Sequence, residues 1–173
     1  VASDENGHFF NEDTRAAGVT TLSNALPDGT TGKCLVMITP DAERTMNTFL
    51  GISETLDTAQ LDEDAIKQSE YVYLEGYLVT SPSGKQAAIK AREIAEANNV
   101  KTALSLSDPG MVQFFGDGLK EMIGEKVNLI FCNKDEALGW TKTDNIEQAA
   151  QEMKKSANTF AITLGKDGAL VFD

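Results

Sequence analysis

The sequence predicts an α/β fold in which a mainly parallel sheet is flanked by helices. Two apolar, strand-like runs near its end, 128–132 and 160–164, each open directly into a polar cluster. A helix-like stretch separates the two runs, and strands separated by helices of about 10 to 15 residues are typical of parallel sheets covered on both faces. Ligands of open α/β sheets bind at the carboxyl ends of the strands. The two polar clusters therefore predict a ligand site at that edge.

The first part of the chain predicts a helix and then a β-hairpin. The helix follows Asp4 and carries the only histidine, His8, for which no partner acid or nucleophile is in view. Two strand-like runs, 32–38 and 44–50, come next without a helix between them, and residues 39–43 supply Pro-Asp turn chemistry. Both faces of this hairpin carry apolar residues, which a solitary hairpin could not keep from water. We therefore expect the hairpin to cover a ligand or a partner subunit.

The rest of the chain alternates strand-like runs with stretches of helical periodicity. The helical stretches repeat apolar residues three and four positions apart, and one of them begins with Asn145 and Gln148 in the spacing of a capping box. The predicted elements, in order, are a strand at 71–74, a helix at 83–98, a strand at 102–106, a helix at 111–123, the strand at 128–132, a helix from Asn145 to about Ala157, the strand at 160–164 and a strand at 169–172.

Composition narrows the class of protein. The chain has 173 residues, of which 41% are apolar and 24% charged, as in soluble globular proteins. Its apolar runs are far shorter than the roughly 20 residues that cross a bilayer, and no secretory leader is present, so we expect a cytoplasmic protein without a membrane partner. A formal charge of -12 would repel nucleic acid. ATP stays possible because magnesium can offset that charge locally.

Two cysteines and several incomplete motifs exclude other classes. Cys34 and Cys132 both lie in apolar runs without metal-type spacing, so we expect buried, reduced core cysteines. The Gly84-Lys85 pair lacks the remaining residues of a P-loop, and no G-x-G-x-x-G follows a predicted strand. A P-loop and a dinucleotide-binding unit are therefore not expected.

Four motifs occur in an order that is typical of one family. Asn-x-x-Glu (Asn133, Glu136) follows one predicted strand, and Thr-Leu-Gly-x-x-Gly (163–168) follows the next. The other two motifs are the sequence of the predicted hairpin, residues 31–46, and the segment 4–7, which precedes a predicted helix that ends at Ala-Gly-Val. On these motifs the chain resembles the ribokinase-like, or PfkB, carbohydrate kinases over essentially its whole length. It is most similar to their adenosine kinase and sugar kinase branch.

The resemblance implies a three-layer ribokinase-like fold with an inserted β lid. Residues 1–29 and 53–173 would belong to the α/β core, and residues 30–52 would form the lid. The family's first strands, which bring a sugar-binding aspartate, would precede Val1, and its Gly-Ala-Gly-Asp segment, with the catalytic base, would follow Asp173. We therefore expect a chain that is incomplete at both ends and inactive by itself.

The resemblance also implies ATP and Mg²⁺ as cofactors at the two polar clusters. Glu136 would hold hydrated magnesium through water and Asn133 would fix it, because Mg²⁺ keeps several of its waters. Thr163 would offer its hydroxyl to a phosphate oxygen, while Gly165 and Gly168 would let the backbone approach the nucleotide. Structural alternatives exist: Asn133 and Glu136 as a helix cap and a first-turn acid, and 165–168 as an ordinary turn between strands.

For the phosphate acceptor, the resemblance implies the hydroxymethyl group of a sugar or nucleoside, such as adenosine, ribose or fructose. The lid would lie over this acceptor and could also pair two subunits as a homodimer. Glu75 and Asp108 follow other strands at the same sheet edge, where an ordinary strand-end polar residue is the alternative. The candidate acceptor-binding residues are Cys34, Val36, Asn47, Glu75 and Asp108.

Two other classes of function stay open at this stage. One is a non-catalytic α/β module that binds a nucleotide or contacts another subunit through the hairpin. The other is a different nucleotide-dependent transferase in which Asn-x-x-Glu occurs by coincidence.

Overall fold

A computed structural model describes residues 1–22, 25–42 and 44–173 of the chain. The described residues form two compact units, Val1–Leu56 and Asp57–Asp173. The helices and strands of the described residues are, in chain order, α1 (Glu5–Ala16), β1 (Lys33–Ile38), β2 (Arg44–Phe49), α2 (Glu63–Lys67), β3 (Tyr71–Glu75), α3 (Pro82–Ala97), β4 (Lys101–Ser105), α4 (Pro109–Ile123), β5 (Val127–Asn133), α5 (Lys134–Thr141), α6 (Ile146–Met153), β6 (Ala157–Thr163) and β7 (Ala169–Phe172).

In the first unit, Asp4 caps α1 and ties it to the segment before the hairpin. Its carboxylate accepts hydrogen bonds from the backbone N–H of Gly7 at 2.9 Å, from the backbone N–H of Thr31 at 2.9 Å, and from the Thr31 hydroxyl. The two Thr31 bonds and then the Gly7 bond lower the pKa of Asp4 to about 2. His8 lies exposed on α1.

The predicted hairpin is present, with β1 and β2 paired antiparallel. The amide of Ala42 donates to the carbonyl of Thr39 at 2.8 Å in the connecting turn, and Glu43, the last residue of the predicted turn, lies outside the described residues. All twelve residues of the two strands are exposed. The prediction that Cys34 is a buried core residue was therefore wrong, because the strand that carries it is not a core strand.

The second unit contains a five-stranded sheet in the order β3-β4-β5-β6-β7. The first four strands are parallel, which confirms the mainly parallel sheet. β7 pairs antiparallel with β6, so the turn between strands that was the structural alternative for 165–168 is present. The predicted helix from Asn145 ends early, at Met153. Ala157, which was assigned to that helix, begins β6 instead, and its burial comes from strand packing. The short helix α2 was not predicted.

One face of this sheet packs against the crossover helices, which contact one another in the order α3, α4, α5, α6. The neighbouring residues Leu104, Ile130 and Phe160 are fully buried on that face. Side chains alternate along a strand, so Tyr73 and Phe131 lie on the other face, half-exposed, with their ring centroids 6.4 Å apart. Cys132 is buried and unpaired, as predicted.

Each of α3 to α6 begins at a polar side chain that accepts a hydrogen bond from a backbone N–H of the first helical turn. Such caps satisfy donors that would otherwise have no partner within the helix. The capping residues are Ser81, Asp108, Asn133 and Asn145.

Across the described ranges, none of the helices combines the length and the apolar content that crossing a bilayer requires.

Candidate functional site at the carboxyl edge of the sheet

The pairing of β5 with β6 brings the two polar clusters side by side. Asn133 is the last residue of β5, Thr163 is the last residue of β6, and the two are partners in the parallel ladder. Adjacent strands lie only about 4.8 Å apart. The start of α5 and the loop that leaves β6 therefore form one continuous surface at the carboxyl edge.

Asn133 and Glu136 form a reciprocal capping box at the start of α5. The Asn133 side-chain oxygen accepts from the Glu136 amide at 2.9 Å. In return, the Glu136 carboxylate accepts the Asn133 backbone N–H at 3.0 Å and its side-chain amide at 2.7 Å. The structural alternative for this pair is thus present. A carboxylate has about four lone-pair sites, so these two bonds leave it able to accept further donors such as water.

Within the part of the chain that the structure describes, no ion pair balances the charge of the Glu136 carboxylate at this cap. Glu136 is only 4% exposed, and none of the ion pairs in the described chain involves it. Burial raises the pKa of its carboxyl group, and the charges of Asp108 and Asp135 raise it further, while the bond from the Asn133 backbone N–H opposes them. A cation beside Glu136 would relieve this accumulated negative charge.

The donor set fits magnesium that keeps most of its waters. Carboxylate oxygens are preferred Mg²⁺ ligands, and Mg²⁺ is usually held by one or two carboxylates plus phosphates of the substrate. Within residues 1–22, 25–42 and 44–173, no group of three or more His, Cys, Asp or Glu side chains is arranged to hold a metal ion. The residues present therefore suit a hydrated ion and not an all-protein cage.

The loop between β6 and β7 presents open backbone beside this cap. Gly165 (φ 60°) and Gly168 (φ 94°) both have positive φ, which favours glycine. The turn is closed by the amide of Leu164, which donates to the carbonyl of Gly168 at 2.8 Å. No atom lies near where a Cβ would stand on either glycine, and Thr163 is exposed. The loop is thus an ordinary strand-to-strand turn and also an accessible surface.

Glu75 and Asp108 lie at the same edge, and both carboxylates have partners within the protein. Glu75 ends β3 and accepts a hydrogen bond from the Ser107 hydroxyl at 3.1 Å. Asp108 follows β4 and accepts from the amide of Gly110 at 2.7 Å as the cap of α4. The strand-end structural roles considered for them are therefore realised.

The three hairpin candidates do not share a face. Cys34 and Val36 are two residues apart on β1 and point to the same side of the hairpin, whereas Asn47 pairs with Leu35 and points to the other side. A single inner face would therefore include either the first two residues or the third.

Sequence reasoning missed two residues near the site. Asp135 adds charge next to Glu136, and the acidic run after Asn133 was a readable signal for it. Ser107 adopts a positive φ of 72° and binds Glu75. The alternation of apolar and polar residues around Ser107 does not predict this positive φ.

A cavity of about 440 Å³ lies among α3, α4 and α5, and it is separate from these residues. Its lining includes Lys85, Phe114, Trp140 and Lys142 but none of the predicted site residues.

The known proteins to which this chain is similar are carbohydrate and nucleoside kinases. The model of the pfkB family carbohydrate kinases matches residues 1–173. The adenosine kinase of Sinorhizobium meliloti is 34% identical, with a TM-score of 0.92, over 99% of this chain and 53% of its own. A probable sugar kinase of Rhizobium etli CFN 42 is 31% identical, with a TM-score of 0.93, over 100% of this chain and 53% of its own.

A curated relative adds a nucleoside kinase at lower identity. The guanosine-inosine kinase of Escherichia coli K12 is 28% identical over 113 residues, which is 64% of this chain and 26% of that enzyme. The chain thus spans about half the length of the two solved structures, and its match covers about a quarter of the curated relative.

Proposed function

Because the chain belongs to the pfkB family of carbohydrate kinases and has their ribokinase-like fold, we propose that the full-length protein is an ATP-dependent kinase. It transfers the γ-phosphoryl group of ATP to a hydroxymethyl group of a nucleoside or sugar. The observation that carries the proposal is the pairing of Asn133 with Thr163, because it brings the two family motifs side by side at the carboxyl edge of the sheet.

Phosphoryl transfer asks a protein mainly for positioning and for neutralisation of charge. We assign to Glu136 the binding of a hydrated magnesium ion, and to Asn133 the orientation of the Glu136 carboxylate through its 2.7 Å bond. Bound magnesium supplies the positive charge that offsets the phosphates of ATP. Thr163 donates its hydroxyl to a phosphate oxygen, and the open backbone of Gly165 and Gly168 borders the nucleotide.

For the acceptor, a nucleoside is favoured over a simple sugar. The relatives described above include an adenosine kinase and a guanosine-inosine kinase. Adenosine therefore heads the list, with ribose-like and fructose-like sugars as alternatives. The candidate contacts remain Cys34 and Val36 on one hairpin face, Asn47 on the other, and Glu75 and Asp108 at the sheet edge. Residues 30–52 are the proposed lid, and residues 1–29 and 53–173 are the proposed core segments.

The 173 residues contain no Gly-Ala-Gly-Asp segment. We place the catalytic base outside them and expect this segment by itself to be inactive. We further propose a cytoplasmic enzyme without a nucleic acid or membrane partner, consistent with the acidic balance of 27 Asp and Glu against 15 Lys and Arg.

The direct test incubates full-length protein with Mg-ATP and a panel of adenosine, guanosine, inosine, ribose and fructose, and follows ADP release. Preference for one acceptor is expected, and hydrolysis that no acceptor stimulates would refute a kinase. Thr163→Val should raise the KM for ATP about tenfold, since it removes a hydrogen bond to a charged group. Thr58→Val, at an exposed threonine in the segment before α2, is the matched control.

A second candidate function, subunit interaction through the hairpin, rests on its exposed apolar side chains. Leu35 is 66% exposed, Ile38 69% and Phe49 56%, and exposed apolar patches commonly mark interfaces. We propose that the hairpin pairs two copies of the protein. Sedimentation of full-length protein should show a dimer that Ile38→Lys dissociates; a wild-type monomer would contradict the pairing. If the dimer forms but no acceptor is phosphorylated, a non-catalytic interaction module becomes the better assignment.

A further inference from the structure

The loop that leaves β4 turns through an unusual backbone conformation. The amide of Leu106 donates to the carbonyl of Phe131 at 3.0 Å, so the chain still follows β5 at that point. Ser107 then adopts a φ of 72°, in the left-handed region that few residues other than glycine occupy. Such a conformation persists only where surrounding contacts determine it.

Contacts from β3 and from the loop itself hold Ser107 in place. Its amide donates to the hydroxyl of Ser105 at 3.1 Å, and its carbonyl accepts from the Tyr77 hydroxyl at 3.2 Å. Its hydroxyl donates to the Glu75 carboxylate at 3.1 Å, and the carbonyl oxygen of Ser105, at 3.3 Å, is a second acceptor for the same proton. Between Glu75 and Tyr77 lies Gly76, where a Cβ would stand 2.6 Å from the carbonyl oxygen of Ser105. The end of β3 therefore approaches the loop as closely as the backbone allows.

The residue that follows Ser107 lies at the same sheet edge as the proposed metal and nucleotide site. Asp108 caps α4, and its amide donates to the carbonyl of Leu106 at 2.9 Å. β4 and β5 are adjacent parallel strands, so Asp108, which follows β4, and Glu136, which follows β5, lie at the same edge of the sheet. The charge of Asp108 also raises the pKa of Glu136. The orientation of the loop thus decides where a second carboxylate lies relative to the first.

We propose that Glu75 is a positioning residue which, through its hydrogen bond with Ser107, holds the loop and so keeps Asp108 beside Glu136. The inference rests on the proposed function, because Asp108 matters only if this edge receives a metal-bound nucleotide. This role of Glu75 differs from acceptor binding, because one oxygen of the Glu75 carboxylate already accepts a hydrogen bond from Ser107. The requirement at position 75 is an oxygen acceptor and not a negative charge.

This distinction makes Glu75→Gln and Glu75→Ala a matched pair, because glutamine keeps an oxygen for Ser107 while alanine does not. Hydrogen exchange on the full-length protein without metal reports the loop directly. In Glu75→Ala the amides of Ser107 and Asp108 should exchange about fivefold faster, as expected when one hydrogen bond is lost. Mn²⁺ binding in the presence of ATP, followed by electron paramagnetic resonance, should weaken by a similar factor. Glu75→Gln should restore both readouts.

The partner residue supplies the second test. Ser107→Ala should loosen the loop at least as much as Glu75→Ala, because it also removes the contact of the hydroxyl with the Ser105 carbonyl. The double variant should add nothing to Ser107→Ala, because the bond between residues 75 and 107 is then already lost. Glu152→Ala, which removes a half-exposed acid of α6 and its ion pair with Lys155, should leave every readout unchanged. If Glu75→Ala fails to fold, Ser107→Ala and Glu75→Gln still decide the question.

Three results would overturn the inference: Glu75→Gln as defective as Glu75→Ala, additive effects of the Glu75 and Ser107 changes, or a raised KM for the acceptor with unchanged metal binding. The last would return Glu75 to the acceptor site. Failure of the proposed function is distinct from these, since wild-type protein would then bind no Mn-ATP while the exchange rates of the loop would still report the Glu75–Ser107 bond.

Discussion

Replacing Glu136 by glutamine separates the two roles that its carboxylate combines. The carboxylate accepts two hydrogen bonds from Asn133, at 3.0 and 2.7 Å. Glutamine keeps one oxygen and turns an NH₂ group toward the second donor, so the cap loses one bond, a cost of about 1 kcal/mol. Burial already disfavours the charge of Glu136, and neutralising it offsets part of that cost. Without metal, the free energy of unfolding should therefore fall by less than about 1 kcal/mol.

The response to magnesium and ATP should change much more. A ligand present at 100 times its Kd stabilises the folded state by about 2.7 kcal/mol. If the lost carboxylate raises that Kd about tenfold, the same ligand concentration stabilises Glu136→Gln by only about 1.4 kcal/mol. Urea unfolding of the full-length protein, measured in EDTA and in Mg-ATP, gives both quantities.

A cap elsewhere in the molecule supplies the control. Asn145→Ala removes the side-chain cap of α6 and should lower the free energy of unfolding by about 1 kcal/mol. It should leave the increment from Mg-ATP intact. If Glu136→Gln retained the full wild-type increment, the carboxylate would be a helix cap alone and the proposed metal role would be wrong.

Three further predictions concern stability and reactivity. The lowered pKa of Asp4, about 2, contributes stability that is present above the unfolded value of 3.8 and is lost as pH falls toward 2; Asp4→Asn should flatten that dependence in acid unfolding followed by circular dichroism. Thiol titration of the native protein should modify Cys34 rapidly and Cys132 only on unfolding, because burial raises the pKa of Cys132 to about 12; equal rates would contradict the described burial. Gly124→Ala should lower the free energy of unfolding by about 1–3 kcal/mol in urea, because Gly124 has a φ of 71° and a Cβ there would lie 2.8 Å from the guanidinium of Arg92. The control Gly116→Ala, at a helical position with open space around the Cβ, should leave the free energy of unfolding unchanged.

Local patterns predicted most of the elements because they are properties of short segments. The apolar runs before Asn133 and through Thr163 predict strands, and the helix between them predicts that these strands pair in parallel. The parallel pairing of β5 with β6 confirms this expectation. The end of α6 was misread because Ala157 continues the helical spacing of apolar residues while belonging to β6. Apolar spacing alone does not distinguish a helix that continues from a chain that turns into a strand.

Burial was harder to predict because it depends on what lies across from a side chain. Cys34 and Cys132 occur in equally apolar runs, yet one is exposed on the hairpin and the other is buried under α-helices. The partner of Glu75 was likewise out of reach. Its bond joins residues 32 positions apart and requires the positive φ of Ser107.

The amino-acid sequence by itself determined the order of strands and helices and the position of each polar cluster at a strand end, because periodicity and capping act within a few residues. Only the tertiary structure decided that Asn133 stands opposite Thr163 and that Glu136 is buried among other acids. Register and burial arise when distant segments pack together, so the charge around Glu136 is a property of the folded sheet edge and of no single stretch of the chain.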